Sequence, residues 1–434
     1  MMRRAVALQV ARRGTTVAGL LLALAAVLLL ALGLLWHLGV GPMDEPDDLS
    51  APAPAATPAL VARGALLARA ANCAGCHTAR GGEPYAGGRA IATPFGTVYP
   101  GNLTPDAGAL GGWSAVDFRR ALHLGRSRDG RLLVPAFPYP HFTQIPREDV
   151  DALFLYLKTV APVARPDTPQ ALRFPFNTQL ALAAWRSLYF RPGRMPPEPA
   201  RSAEWQRGAY LVNALGHCAA CHGARNLLGA SAGLADGHGG APLPREPWYA
   251  PSLADPAEAG LAGWPVDEAV ALLKTGSTAR AVVLGPMAEV VAQSTQHLDE
   301  ADLRAMVVYL QSLPAPAAAG ARTTAPRDPL VMARGGELYR QHCADCHGAQ
   351  GQGAPGVYPA LVGNRVVTMT RPANLLLAVT RGGFAPGTAA NPRPYGMPPF
   401  DLPDEDLAAL LTWLRGSWGH DAAPVSPVDV LIAR

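Results

Sequence analysis

Three five-residue stretches carry the chemistry of this chain: Cys73-Ala74-Gly75-Cys76-His77, Cys218-Ala219-Ala220-Cys221-His222 and Cys343-Ala344-Asp345-Cys346-His347. They use all six cysteines of the 434 residues, leaving none for a disulfide or a catalytic thiol. Cys-x-x-Cys-His is the attachment sequence of c-type haem. One helical turn presents two thiols to the two vinyl groups of the porphyrin, and the adjacent histidine is fixed beneath the ring as proximal iron ligand. A zinc ribbon needs a second cysteine pair nearby, and here the pairs lie whole domains apart. A redox dithiol has no use for the histidine and no reason to recur three times. The expected cofactors are three covalent haem c groups.

The sixth iron ligand is expected in a loop before the last helix of each repeat. Met397, in Tyr395-Gly396-Met397-Pro398-Pro399, suits such a loop, since proline fixes φ and removes a donor. Met287 follows Gly285-Pro286 in the second repeat. Its rival Met306 falls in an apolar helical stripe and reads as core, as do Met332 and Met369. The first repeat breaks the rule, with no methionine between Met43 and Met195. Aligned on Gly125, Gly276 and Gly382, its loop places Phe137 where the others place Met287 and Met397. Phenylalanine has no lone pair for iron. His141 is the first candidate to replace it, His123 the second, and an open iron the third reading. The other histidines (His217, His238, His297, His342, His420) read as structural or exposed.

Helices must position these ligands. Each motif follows a helical approach: Arg63-Gly64, Arg207-Gly208 and Arg334-Gly335 lead into the three. Each repeat closes on an i, i+3, i+4, i+7 stripe: Val150/Leu153/Phe154/Leu157, Leu303/Met306/Val307/Leu310 and Leu407/Leu410/Leu411/Leu414. Acids open all three closing helices, as suits the positive end of a helix dipole. A first helix bearing the haem and a last helix crossing it describe the class I cytochrome c fold. The expected architecture is mainly α, with three such domains in tandem after an N-terminal transmembrane helix. The expected divisions are 1–40 basic segment and anchor, 41–58 linker, 59–162 domain one, 163–202 interdomain strap, 203–314 domain two, 315–329 linker, 330–420 domain three and 421–434 tail. The strap holds Phe174-Pro175-Phe176-Asn177, Trp185 and Leu188-Tyr189-Phe190, too apolar for a solvated tether, and is read as packing between domains one and two, with a patch for a partner as the alternative.

The formal charge is 37 − 33 = +4. Arg3, Arg4, Arg12 and Arg13 precede Val17, so the remainder of the chain is neutral overall and offers nucleic acid no basic face. From Val17 to Trp36 the chain is uninterruptedly apolar, long enough to span a bilayer. Basic residues before it and Asp44, Glu45, Asp47 and Asp48 after it place the N-terminus in the cytoplasm and the body outside. Cleavage after Ala51–Ala56 is the alternative, with the segment acting as a signal peptide.

With these residues read, the chain resembles the triple-haem cytochrome c subunits of bacterial membrane-bound alcohol, gluconate and sorbitol dehydrogenases. The resemblance rests on Ala90-Ile91-Ala92-Thr93-Pro94-Phe95-Gly96-Thr97, Asn102-Leu103-Thr104-Pro105-Asp106, Arg173-Phe174-Pro175-Phe176-Asn177, Arg207–His222 and Ser294-Thr295-Gln296-His297-Leu298. It implies His/Met ligation at His222/Met287 and His347/Met397, and at repeat one only His77. It implies a separate PQQ- or FAD-dependent large subunit as donor, ubiquinone or a terminal oxidase as acceptor, and a place on the periplasmic face of the inner membrane. In this reading the chain is a non-catalytic electron-transfer subunit. A molybdenum hydroxylase as donor, and a haem enzyme acting on peroxide or a sulfur compound at an open first haem, are the two alternatives.

Overall fold

The computed structural model describes residues 2–40, 47–236, 239–244, 246–316 and 326–433. His238, Asp44 and Glu45, and much of the expected 315–329 linker lie outside them. A long helix α1 (Met2–Val40) leads. The first repeat follows with α2 (Pro58–Ala70), α3 (Cys73–His77), α4 (Ala115–Leu124), α5 (Tyr139–Phe142) and α6 (Arg147–Leu157). The strap contributes α7 (Gln179–Tyr189). The second repeat has α8 (Ala203–Ala209), α9 (Ala219–His222), α10 (Val266–Thr275), α11 (Pro286–Gln293) and α12 (Glu300–Gln311). The third has α13 (Pro329–His342), α14 (Ala344–His347), α15 (Arg365–Thr368), α16 (Ala373–Arg381) and α17 (Asp404–Gly416), and α18 (Pro427–Ala433) closes the chain.

One crossing recurs three times. α2 packs on α6, α8 on α12 and α13 on α17. Glycine makes each crossing close: a Cβ on Gly64 would overlap the Ala152 carbonyl and lie 2.7 Å from Tyr156 Cβ. Gly208 stands likewise against Ala305 and, at 2.9 Å, Tyr309, and Gly335 against Ala409 and Trp413. The arginine before each glycine ties the two helices. Arg63 reaches Asp149 at 2.6 Å, Arg207 grips Asp302 through two bonds of 2.7 Å, and Arg334 grips Asp406 at 2.8 and 2.7 Å. The acids that open the closing helices therefore do more than meet a helix dipole.

The approach helix and the motif turn are not one helix. Asn72 takes a left-handed φ of 50° between α2 and α3, and His217 a φ of 40° before the second motif. In the second repeat a π-helical turn, Tyr210–Leu215, intervenes as well.

The strap is anchored on both sides. Its strand β3 (Ala171–Leu172) extends the antiparallel hairpin of β1 (Ile91–Thr93) and β2 (Gly96–Val98), pairing Leu172 with Gly96. Phe176 packs at a tilt against Phe95, with ring centroids 4.5 Å apart. Trp185 Nε1 donates to the Leu228 carbonyl of the second repeat at 2.9 Å. α7 also carries the end of α1, with Gly39 against the Ala183 backbone and Arg186 Nε on the Gly39 carbonyl at 3.1 Å.

Two further antiparallel pairs, β4 (Ala241–Pro242) with β5 (Tyr249–Ala250) and β6 (Gly383–Phe384) with β7 (Gly396–Met397), brace the later loops. The buried apolar residues do not divide by repeat. One continuous core runs from Leu67, Phe118 and Leu153 through to Leu211, Trp264, Leu303 and Leu310, joining the first two repeats. The third keeps its own, around Leu338, Leu376, Leu407 and Leu411.

Candidate haem centres

Each motif turn presents its histidine in the same way. His77 Nδ1 donates to the Gly101 carbonyl at 2.7 Å, His222 Nδ1 to the Pro251 carbonyl at 2.7 Å, and His347 Nδ1 to the Pro359 carbonyl at 2.9 Å. A carbonyl only accepts, so the proton sits on Nδ1 and Nε2 keeps its lone pair. This fixes the tautomer and the ring direction as a metal-bound imidazole requires. Burial lowers the pKa of all three, against smaller upward effects of those carbonyls, so the rings are held neutral.

The cysteines fit thioether chemistry better than thiolate chemistry. Burial pushes the Cys73 and Cys218 thiols up to about 12 and the Cys343 thiol to about 11. Such thiols stay protonated at neutral pH, unlike redox nucleophiles. Among the described residues no group of three His, Cys, Asp or Glu side chains forms a metal site. In every motif the second cysteine (Cys76, Cys221, Cys346) is exposed and the first is more enclosed. A porphyrin held there would have one edge at the surface. The donor set and its orientation therefore fit haem c, which supplies a reversible one-electron iron couple when bound.

The distal loops follow one construction in the first two repeats. Gly125 ends α4 at φ 57° and Gly276 ends α10 at φ 74°, conformations that favour glycine. Leu133 N donates back to the Gly125 carbonyl at 2.8 Å, and Val283 N to the Gly276 carbonyl at 2.8 Å. Phe137 and Met287 each lie four residues beyond that bond, so the structure keeps the register seen in the alignment. Phe137 packs among Tyr139 and Phe142, with ring centroids 6.3 and 5.6 Å away. Met397 sits on β7, paired with Gly383 and packed against the core of the third repeat. Met306 is buried in the shared core.

The two histidines near the first distal loop have other partners. His123 Nε2 meets the Ile145 carbonyl at 2.8 Å and is buried. His141 Nδ1 meets the Asn213 carbonyl of the second repeat at 3.1 Å. Burial, then His217, drives the His141 pKa down to about 4, with Arg225 adding to the effect. Its surroundings thus belong to the second repeat. His217 packs edge-on against Phe142 at 5.4 Å, His297 meets Arg69 at 3.5 Å, His342 lies 5.8 Å from the Phe400 ring, and His420 bonds Gly363 N at 2.8 Å.

Residue reasoning alone missed the three carbonyls that orient the proximal rings. A proline does stand at or beside each of them (Pro100, Pro251, Pro359), a signal that was available. It also missed Arg89 and Glu289, which nothing in the motifs marks.

Histidines with oriented tautomers on Cys-x-x-Cys-His turns, under crossed terminal helices, define a class of covalent haem carriers. The cytochrome c family matches residues 61–161, 205–314 and 332–418, and the chain belongs to that family. It is 37% identical over 375 residues to the cytochrome c subunit of alcohol dehydrogenase (quinone) from Gluconobacter oxydans, covering 82% of this chain and 78% of that one. It is 35% identical over 381 residues to the gluconate 2-dehydrogenase cytochrome c subunit of Pantoea cypripedii, covering 83% and 86%. It is also 40% identical over 355 residues to a subunit of nicotinate dehydrogenase from Pseudomonas putida, covering 80% of this chain and 29% of that longer one.

Proposed function

We propose that this chain is the electron-transfer subunit of a membrane-bound, quinone-linked dehydrogenase. It carries three covalent haems in three class I domains. The observation that carries this reading is the recurrence of one proximal geometry, Nδ1 on a loop carbonyl, at His77, His222 and His347. Electrons from a large subunit using PQQ or FAD enter the relay and leave to ubiquinone or a terminal oxidase. The named alcohol and gluconate dehydrogenase relatives support that donor class. A different donor is favoured by one observation, that the nicotinate dehydrogenase relative holds a matching segment within a longer chain. Purification from membranes separates the donors through the large subunit that co-purifies. A preparation with no dehydrogenase, whose haems no alcohol, sugar or sugar-acid substrate reduces, would sink the proposal.

We assign Met287 and Met397 as sixth ligands of the second and third haems, and leave the first haem without methionine. His141→Ala decides whether that histidine closes the first site. Met287→Ala and Met397→Ala are expected to keep covalent haem while lowering quinone reduction at least about ten-fold, as the sulfur ligand sets the potential. Wild-type rates in both would overturn the assignment.

The N-terminal helix is proposed to stay as an anchor, with the haem-bearing body in the periplasm. Leu20–Val40 is apolar enough to span a membrane, with a mean hydropathy of 2.5. The 47–52 stretch is also built into the first repeat. Arg119, fully buried against Asp151, donates to the carbonyls of Leu49, at 3.0 Å, and Ala51. Cleavage within 51–56 would remove buried Leu49 and acceptors from a buried guanidinium. A mature N-terminus at Ala51–Ala56 would rule the anchor out.

A further inference from the structure

The first two repeats embrace reciprocally, each seating its distal segment on the haem-bearing segment of the other. α5 of the first lies against the turn that leads to Cys218, through His141 on Asn213 and Phe142 on His217. α11 of the second, which begins with Pro286-Met287, lies against α3. Beyond α11, Ser294 Oγ donates to the Ala70 carbonyl at 3.1 Å.

One side chain joins both ends of this second contact. Arg89 donates to the carbonyl of Gly75, between the two motif cysteines, and grips both carboxylate oxygens of Glu289, with Nη2 to Oε2 at 2.9 Å. Glu289 stands two residues from Met287 on the same helix. The side chains are 38% and 33% exposed, so the pair belongs to the seam rather than the core. A bidentate arginine fork fixes orientation as well as charge, which lysine would not do.

We propose that Arg89 is a positioning residue for electron exchange between the first two haems. Its cation lies at the Gly75 carbonyl between Cys73 and Cys76, so it would stand beside the thioether edge of a haem held by those cysteines, where positive charge favours reduced iron. Its grip on Glu289 steadies the helix start that presents Met287 to the second haem. The exchange moves one electron, one iron being oxidised as the other is reduced, with no proton transferred and no bond broken. This inference rests on the haem assignments proposed for the chain.

The test uses the full-length protein, with potentiometric titration of all three haems and the sulfur-to-iron charge-transfer band as readouts. The first haem is identified as the midpoint that Phe137→Met moves. Arg89→Gln is expected to shift its oxidised-to-reduced ratio at fixed potential roughly three- to ten-fold toward oxidised. Glu289→Gln should shift it the opposite way, and both shifts should shrink at high salt. Arg89→Lys should hold the first potential yet weaken the charge-transfer band of the second haem as Arg89→Gln does. The exchanged pair, Arg89→Glu with Glu289→Arg, separates charge from mere bridging. A shift toward oxidised at the first haem supports the proposal, and wild-type midpoints in the exchanged pair overturn it. An unmoved midpoint in Arg89→Gln also overturns it; if that variant fails to assemble, Glu289→Gln carries the same decision. Absence of the charge-transfer band in wild-type protein would refute the Met287 and Met397 assignments together, and its persistence at full strength in Met397→Ala but not in Met287→Ala would assign it to the second haem, while the first-haem shift would still judge Arg89.

Discussion

Phe137 is the residue on which the behaviour of the first haem turns. It occupies the register of Met287, in a loop that closes on Gly125 as the other closes on Gly276. Without a sulfur ligand favouring ferrous iron, the first haem should have the lowest midpoint of the three. Phe137→Met is expected to raise it, and a titration in which none of the three midpoints moves would remove this loop from the first haem. Carbon monoxide reports the sixth site. If the first site is open, the wild-type protein should bind it at the first haem, and His141→Ala should not add to that binding. A gain in His141→Ala would show that the histidine had closed the site.

The same histidine makes a pH prediction. Its folded pKa is pushed from 6.5 down to about 4, so below about pH 6.5 the unfolded chain takes up a proton that the folded chain refuses. Stability present above pH 6.5 should fall as the pH drops toward 4. Denaturant midpoints between pH 7 and 4.5 should show a flatter slope in His141→Gln than in wild type. Equal slopes would mean that His141 is already protonated or already bound to iron.

At the scale of elements, the crossing of first and last helices is the organising contact. Gly208 makes it possible in the second repeat, since any Cβ there would overlap the Ala305 carbonyl. Gly208→Ala is expected to cost about 3 kcal/mol or more through forced separation of the helices. Denaturant unfolding of the variant measures this, and a loss below about 0.5 kcal/mol would show that α8 and α12 can part cheaply. These helices were legible from sequence because their evidence is local: stripes at helical spacing, acids at the start, arginine-glycine in the partner. The motif histidines His77, His222 and His347 stand out in the sequence for the same reason. What orients them does not, because Gly101, Pro251 and Pro359 act through backbone carbonyls that any residue possesses. Nor did Arg119 announce its burial, since its partners Leu49 and Asp151 lie far from it along the chain.

For the whole molecule, three equal repeats in sequence become a pair and a single in space. Leu67 and Leu153 share a core with Leu211 and Leu303, while Leu338 and Leu411 do not. Alternation and helical period mark a residue as apolar and inward, but not whose interior it enters, so the union was hidden. Tyr210 shows the difficulty: read as part of an approach helix, it donates across the seam to Asp149 of the first repeat at 2.6 Å. The third repeat meets the second outside either core, as where Asn374 bonds both backbone groups of Tyr249 at 3.0 and 2.7 Å.

That joined core sets how an assembly failure spreads. A domain folded around a cofactor loses much of its interior when the cofactor is missing, and a neighbour sharing that interior is undermined with it. A chain with Cys73→Ala and Cys76→Ala should therefore mature with one haem, on the third repeat, although only one attachment site is lost. The mirror variant, Cys343→Ala with Cys346→Ala, should keep two. Intact mass and haem content per chain distinguish the outcomes, and a Cys73/Cys76 variant carrying two haems would show that the first two repeats mature independently. The chain would then have two units of quality control rather than three, the larger one surviving or failing as a whole.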